Sequence, residues 1–93
     1  MYEIIRNKNF KSAYKRVSKS GRFDKERFEV ALTFLEKGES LPNDFYDHAL
    51  KGNLSIQREC HIGSDMLLIY EVYKEQKMVV LDDIGNHAQV FGT

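Results

Sequence analysis

Arg58 to Tyr70, reading R-E-C-H-I-G-S-D-M-L-L-I-Y, is the stretch on which the fold of this chain turns. Two runs rich in Ile, Leu and Tyr flank a Gly-Ser pair, the pattern of two β-strands joined by a tight turn, here Ile62-Gly63-Ser64-Asp65. His61 and Asp65 bracket that turn, so closing the hairpin is expected to bring an imidazole and a carboxylate together. Met66 to Tyr70 is apolar without alternation, which marks a central strand covered on both faces. Working outward, Leu54 to His61, Met66 to Tyr73 and Met78 to Ile84 each read as strands, the last two separated by Lys74-Glu75-Gln76-Lys77.

The N-terminal half supplies what packs on those strands. Tyr2 to Arg6, with Ile4 and Ile5, suits a short strand, and Asn7 can cap the helix that follows. Phe10, Ala13, Tyr14 and Val17 recur at helical spacing and form one apolar stripe, with Gly21 as a stop. A second helix starts at Asp24, with Phe23 and Phe28 placed as a hydrophobic staple. Its stripe is Phe28, Ala31, Leu32 and Leu35, and Gly38 ends it before Pro42. The order β-α-α-β-β-β predicts an α+β fold, two N-terminal helices packed on one face of a small, mostly antiparallel sheet with the other face partly open. There is no repeat, low-complexity tract or linker, so residues 1–93 read as one domain.

Composition narrows the function classes. An apolar share of 42% and a charged share of 30% are those of an ordinary globular protein. The longest apolar run, Met66 to Tyr70, is too short to cross a bilayer, and the N-terminal residues lack the apolar segment of a signal peptide. The single cysteine, Cys60, cannot form an internal disulfide and suits a reducing cytoplasm. A formal net charge of zero conceals an asymmetry: residues 1–28 carry nine Lys or Arg against three acids, and residues 29–93 carry five against eleven. A basic first third suits either contact with a polyanion, which gains affinity by releasing counterions from phosphates, or a solvated helix face.

All three histidines, His48, His61 and His87, fall in the second half beside turns or strand ends. Histidine serves as both acid and base near neutral pH, and Asp65 stands close to one of them in sequence. No C-x-x-C, H-E-x-x-H, glycine-rich phosphate loop or G-x-S-x-G elbow is present. The spacing of His48, His61 and Asp65 matches no compact structural zinc site, so neither a metal nor another cofactor is expected. By alternation Asp82 and Asp83 point to opposite faces and form no dyad. Cys60, out of register with His61, reads as a small buried apolar residue.

Three ordered blocks carry a resemblance. They are F-Y-D-H-A-L-K-G-N (Phe45 to Asn53), R-E-C-H-I-x-x-D-x-L-L-I-Y (Arg58 to Tyr70) and G-N-H-A-x-V-F (Gly85 to Phe91). Together they span about half the chain and resemble the YafQ group of RelE/ParE-type bacterial toxins, whose β-α-α-β-β-β fold agrees with the independent reading above. The resemblance implies the toxin of a type II toxin–antitoxin pair: a ribosome-dependent mRNA endoribonuclease, cytoplasmic, held inactive by a cognate antitoxin in a hetero-oligomer. In such enzymes the ribose 2′-oxygen attacks the adjacent phosphate, leaving a 2′,3′-cyclic phosphate and a 5′-hydroxyl without a metal.

Residue by residue, His48, His61, Asp65, His87 and Phe91 fall on that family's catalytic motif positions. The resemblance implies His87 as general acid, Asp65 or His48 as general base, His61 as a phosphate-binding or proton-relay group and Phe91 as a platform for a base. Lys11, Lys15 and Arg16 on the basic first helix would meet ribosomal RNA. Arg58 is left with two roles: steadying phosphate charge, which needs a bulge to re-aim it because alternation sets it on the face away from His61, or pairing with an acid structurally. The chain departs from the pattern at Asp82-Asp83-Ile84, before Gly85, where relatives often carry Arg or Lys; carboxylates there repel an incoming phosphate. The competing readings are a toxin of the same fold that binds a protein, as ParE-type toxins bind DNA gyrase, and cuts no RNA, and a bare interaction module whose only partner is an antitoxin.

Overall fold

The computed structural model describes residues 1–50 and 56–92. A first strand, β1 (Glu3–Arg6), leads through Asn7 into α1 (Lys8–Val17) and then α2 (Lys25–Glu36). A 3-10 turn at Asn43–Phe45 precedes β2 (His48–Ala49), β3 (Gln57–His61), β4 (Leu67–Tyr73), β5 (Met78–Gly85) and a final short helix, α3 (His87–Phe91). The five strands form one sheet in the order β1-β5-β4-β3-β2, antiparallel except where β1 runs parallel to β5. This is the expected α+β architecture with two additions, the two-residue edge strand β2 and the terminal α3. The expected start of the third strand at Leu54 lies outside the described residues.

The helices form where local chemistry directs them. The Asn7 side chain accepts from the Phe10 amide at 2.8 Å and Asp24 accepts from the Arg27 amide at 3.0 Å, satisfying donors that a helix start leaves free. Phe23 and Phe28 close the expected staple with ring centroids 5.7 Å apart. Both stripes meet one face of the sheet. Phe10, Ala13 and Val17 of α1 and Phe28, Ala31 and Leu35 of α2 share a core with Cys60, Leu68, Tyr70, Val79, Leu81 and Ile84. Gly38 ends α2 at φ +70°, and a Cβ there would lie 2.6 Å from the Tyr2 ring, so glycine alone fits the place where β1 passes. Leu67 and Ile69 are also buried but belong to the opposite face, outside that cluster.

Candidate active site

His48 is the most tightly directed of the three histidines. Pro42 opens the 3-10 turn, Phe45 sinks into the core, and Tyr46 turns left-handed at φ 50°, swinging the chain so that His48 pairs with Glu59 across the β2–β3 ladder. Arg27 of α2 fastens this corner. Its guanidinium lies 3.8 Å over the Phe45 ring and donates to the Asp44 carboxylate at 3.0 Å and the Asp44 carbonyl at 2.7 Å. Its Nε donates to the His61 carbonyl at 3.2 Å, so one side chain ties the 3-10 turn to the end of β3.

The imidazole of His48 has both nitrogens engaged. Nδ1 lies 2.7 Å from the Tyr46 carbonyl, which can only accept, so Nδ1 carries a proton. Nε2 lies 3.0 Å from Oε1 of Glu59, a carboxylate buried to 7% exposure. The ring is thus held between two acceptors, a backbone carbonyl and a carboxylate. Glu59 went unremarked as a site residue in the sequence; the signal was its alternation with His61, which sets both on the face away from the helices.

The hairpin closes as expected, the Ile62 amide donating to the Met66 carbonyl at 2.7 Å, with Gly63 at φ 82° and Asp65 at φ 51° absorbing the reversal. Its polar ends nevertheless part, against the expectation that closure joins them. No hydrogen bond or ion pair links His61 to Asp65: the His61 ring stands edge-on to Tyr46, centroids 5.5 Å apart, whereas Asp65 lines a cleft of about 100 Å³ with Arg16, Arg22, Asn86 and Gln89. Two left-handed residues in one turn rotate the carboxylate away from the strand that carries the imidazole. His87 opens α3, where Asn86 and Gln89 form a reciprocal capping box, and its ring lies 4.9 Å from that of Phe91. The predicted residues thus form three local groups: His48 and His61 about Tyr46, His87 with Phe91, and Asp65 with Arg16. Lys11, Lys15 and Arg16 are exposed on α1, and of the three only Arg16 lines the Asp65 cleft.

Arg58 takes the second of its two roles. On the helix face its Nη2 and Nε donate to Asp47 at 2.9 and 3.2 Å, and the Tyr70 hydroxyl donates to the same carboxylate. Asp47 holds the Arg58 guanidinium above its ordinary range, and burial, with the Asp47 contact second, pushes the Tyr70 phenol up. Cys60, fully buried, has its thiol pushed up by burial, as suits a packing residue.

The expectation for Asp82 and Asp83 needs correcting. Leu81 and Ile84 both lie in the core although three residues apart, because the β4–β5 register slips by one: Ile69 faces Asp83 and Tyr70 faces Leu81. Asp82 is the inserted residue of a β-bulge, and both aspartates leave the helix face together. Asp82 then meets Glu71 instead of Asp83. It accepts from Asn7 Nδ2 at 2.9 Å and Gln57 Nε2 at 3.3 Å, while Tyr73 donates to Glu71. Burial, then the hydrogen bond with Glu71, raises Asp82 to about 7, and the same hydrogen bond lowers Glu71. The two carboxylates titrate as a pair. Among the described residues no three His, Cys, Asp or Glu side chains converge as a metal site, and no helix is long and apolar enough to cross a membrane.

Comparison with known proteins adds independent information. The family of bacterial YafQ toxins of type II toxin–antitoxin systems matches residues 2–92. A metal-bound toxin from Helicobacter pylori is 33% identical, with a TM-score of 0.88 over 98% of this chain and all of that one. The E. coli DinJ–YafQ complex contains a chain 26% identical, TM-score 0.85, over 99% of this chain and all of that one. YafQ from E. coli BL21(DE3) is 25% identical with the same TM-score and coverage. No curated protein sequence matches significantly.

Proposed function

The chain belongs to the YafQ family of type II toxin–antitoxin toxins, and from that premise and the site geometry we propose that it is a metal-independent mRNA endoribonuclease. It works on translating ribosomes in the cytoplasm, and a cognate antitoxin restrains it in a hetero-oligomer, as DinJ accompanies YafQ in the E. coli complex. The observation that carries the reading is the double engagement of His48, Nδ1 on the Tyr46 carbonyl and Nε2 on Glu59. A binding surface has no need of an imidazole so directed; acid–base chemistry does.

In this reading the 2′-hydroxyl proton passes to the His48–Glu59 pair, while Nδ1–H of His48 stays on the Tyr46 carbonyl. The 2′-oxygen bonds to phosphorus, and the phosphorus–5′-oxygen bond breaks. His87 gives its proton to the departing 5′-oxygen, leaving a 2′,3′-cyclic phosphate. His61 binds the phosphate, Phe91 stacks a base, and Asp65 and Arg16 line the same cleft beside α3. Lys11, Lys15 and Arg16 supply the electrostatic approach to ribosomal RNA. Arg58, held by Asp47 on the other face, has no part in it.

One observation favours the protein-binding alternative, a toxin acting on a partner such as gyrase without cutting RNA. Glu59, Glu71, Asp82 and Asp83 share the face that carries His48 and His61, and that face repels phosphate. Inducible expression of the wild type and His87→Ala in bacteria, with growth followed and transcript 5′ ends mapped, separates the two. The proposal expects arrest with new 5′ ends inside translated codons, and cleavage reduced about 10²- to 10⁴-fold in the variant. Arrest that survives the substitution without new ends would establish the alternative.

A further inference from the structure

Tyr46 is placed as no ordinary surface tyrosine would be. It is 67% exposed, yet its backbone is left-handed at φ 50°, a conformation that glycine or asparagine adopts at lower cost. Among the described residues the exposed aromatic side chains are Tyr46 and Phe91, and each lies against a histidine: Tyr46 edge-on to His61 at 5.5 Å, Phe91 beside His87 at 4.9 Å. The Tyr46 carbonyl also fixes His48. Arg27, clamped on Asp44 and Phe45 and bonded to the His61 carbonyl, anchors the residues on both sides of that ring.

We infer that Tyr46 is a nucleobase-stacking platform, taking the base of a nucleotide that flanks the scissile phosphate between His48 and His61. The inference rests on the ribonuclease reading above and deepens it. Any base presents a π-face, so the platform binds single-stranded RNA with little hydrogen-bond readout, and its sequence preference follows stacking strength, purines above pyrimidines. The wet, exposed ring supplies the face, and the strained backbone holds it beside the two imidazoles without a flexible arm. Phe91 serves a second base near His87, so the bound strand is gripped by an aromatic at each of two histidine groups.

The test uses the full chain and a short oligoribonucleotide made uncleavable by 2′-O-methyl groups, with 2-aminopurine at one position after another. Stacking quenches 2-aminopurine fluorescence, and the same titration gives affinity. Three variants are compared with the wild type: Tyr46→Phe, which keeps the ring, and Tyr46→Asn and Tyr46→Gly, which tolerate φ 50° and so keep the fold, as melting curves check. The expected result is quenching at one position in the wild type and Tyr46→Phe, lost in the other two with binding on the order of 5- to 150-fold weaker. Equal binding and quenching in Tyr46→Asn would overturn the platform while leaving the ribonuclease reading, which the 5′-end mapping decides separately. A wild type that binds the oligonucleotide without quenching at any position would overturn it too. If the wild type neither binds nor generates new transcript ends, both fall.

Discussion

Asp47 and Asp82 sit on opposite faces of the same sheet, each half-screened from water, and their surroundings differ in sign. On the helix face Asp47 meets a guanidinium and a phenol, Arg58 and Tyr70, so its charge is matched as it is buried. On the opposite face Asp82 meets another carboxylate, Glu71, and burial beside it pushes Asp82 up to about 7. The first arrangement closes the core. The second leaves a polar surface, with two histidines nearby, that is only conditionally neutral. Evolved sheets hold strain and unmatched charge where they work and relieve both where they pack.

The largest expected effect comes from breaking the matched side. Asp47→Ala leaves Arg58 and the Tyr70 hydroxyl without their shared acceptor at the edge of the core, and a cation stripped of its partner costs more than a neutral hydrogen bond. Asp47 is not fully enclosed, which moderates the loss to about 3 kcal/mol, or roughly 15 °C in a domain of this size. Urea and thermal unfolding measure it. A change of under about 0.5 kcal/mol, the range of ordinary surface substitutions, would mean that the network does not hold the fold.

The unmatched side answers to pH. The folded state raises Asp82 from the ordinary carboxyl range to about 7, so it binds a proton that the unfolded chain releases near pH 4. The stability contributed is complete below the unfolded value and is lost as pH climbs toward 7. Glu71, lowered by the same hydrogen bond, works in the other direction and cancels part of this. Solvent screens more, leaving a net decline of order 1 kcal/mol between pH 4 and 7. Asp82→Asn keeps a donor toward Glu71 but has no proton to lose, so its stability should stay flat over that window. Parallel decline in wild type and variant would show that the pair shares no proton.

What could be read in the chain divides along the same line. The caps at Asn7 and Asp24, the staple of Phe23 and Phe28, both helix stripes and the hairpin at Gly63 are decided within a few residues, and local chemistry made them legible. The bulge at Asp82 depends on where β5 falls against β4, which no alternation count along β5 alone contains. β2 is two residues long, and α3 buries none of its five, so neither has a periodic signal to find. The histidines and Phe91 were legible by resemblance. Their partners were not: Glu59 is opposite His48 only through the β2–β3 register, and Arg27 reaches His61 across 34 residues of chain. Asp65 misled because its distance from His61 was read along the chain, whereas two left-handed residues set its direction.

The smallest effect separates helices held by packing from a helix held by its cap. Asn7 and Asn86 make the same bond, each side chain accepting at 2.8 Å from the amide three residues on. Asn7, however, starts a helix with three buried side chains and also donates to Asp82, so Asn7→Ala unlocks packed structure and should lower global stability by about 1–2 kcal/mol. Asn86 starts a helix that buries nothing, so Asn86→Ala should leave the melting temperature nearly unchanged, within about 0.5 kcal/mol. Its effect is local: the Val90 and Gly92 amides, which donate to Asn86 and Ala88, should exchange with solvent about fivefold faster, as for a cap bond of about 1 kcal/mol, while α1 amides keep their rates. Hydrogen exchange read amide by amide makes the measurement. Loosened α1 amides or a large drop in melting temperature would mean that α3 is part of the packed body, and that His87 and Phe91 are held as firmly as the core.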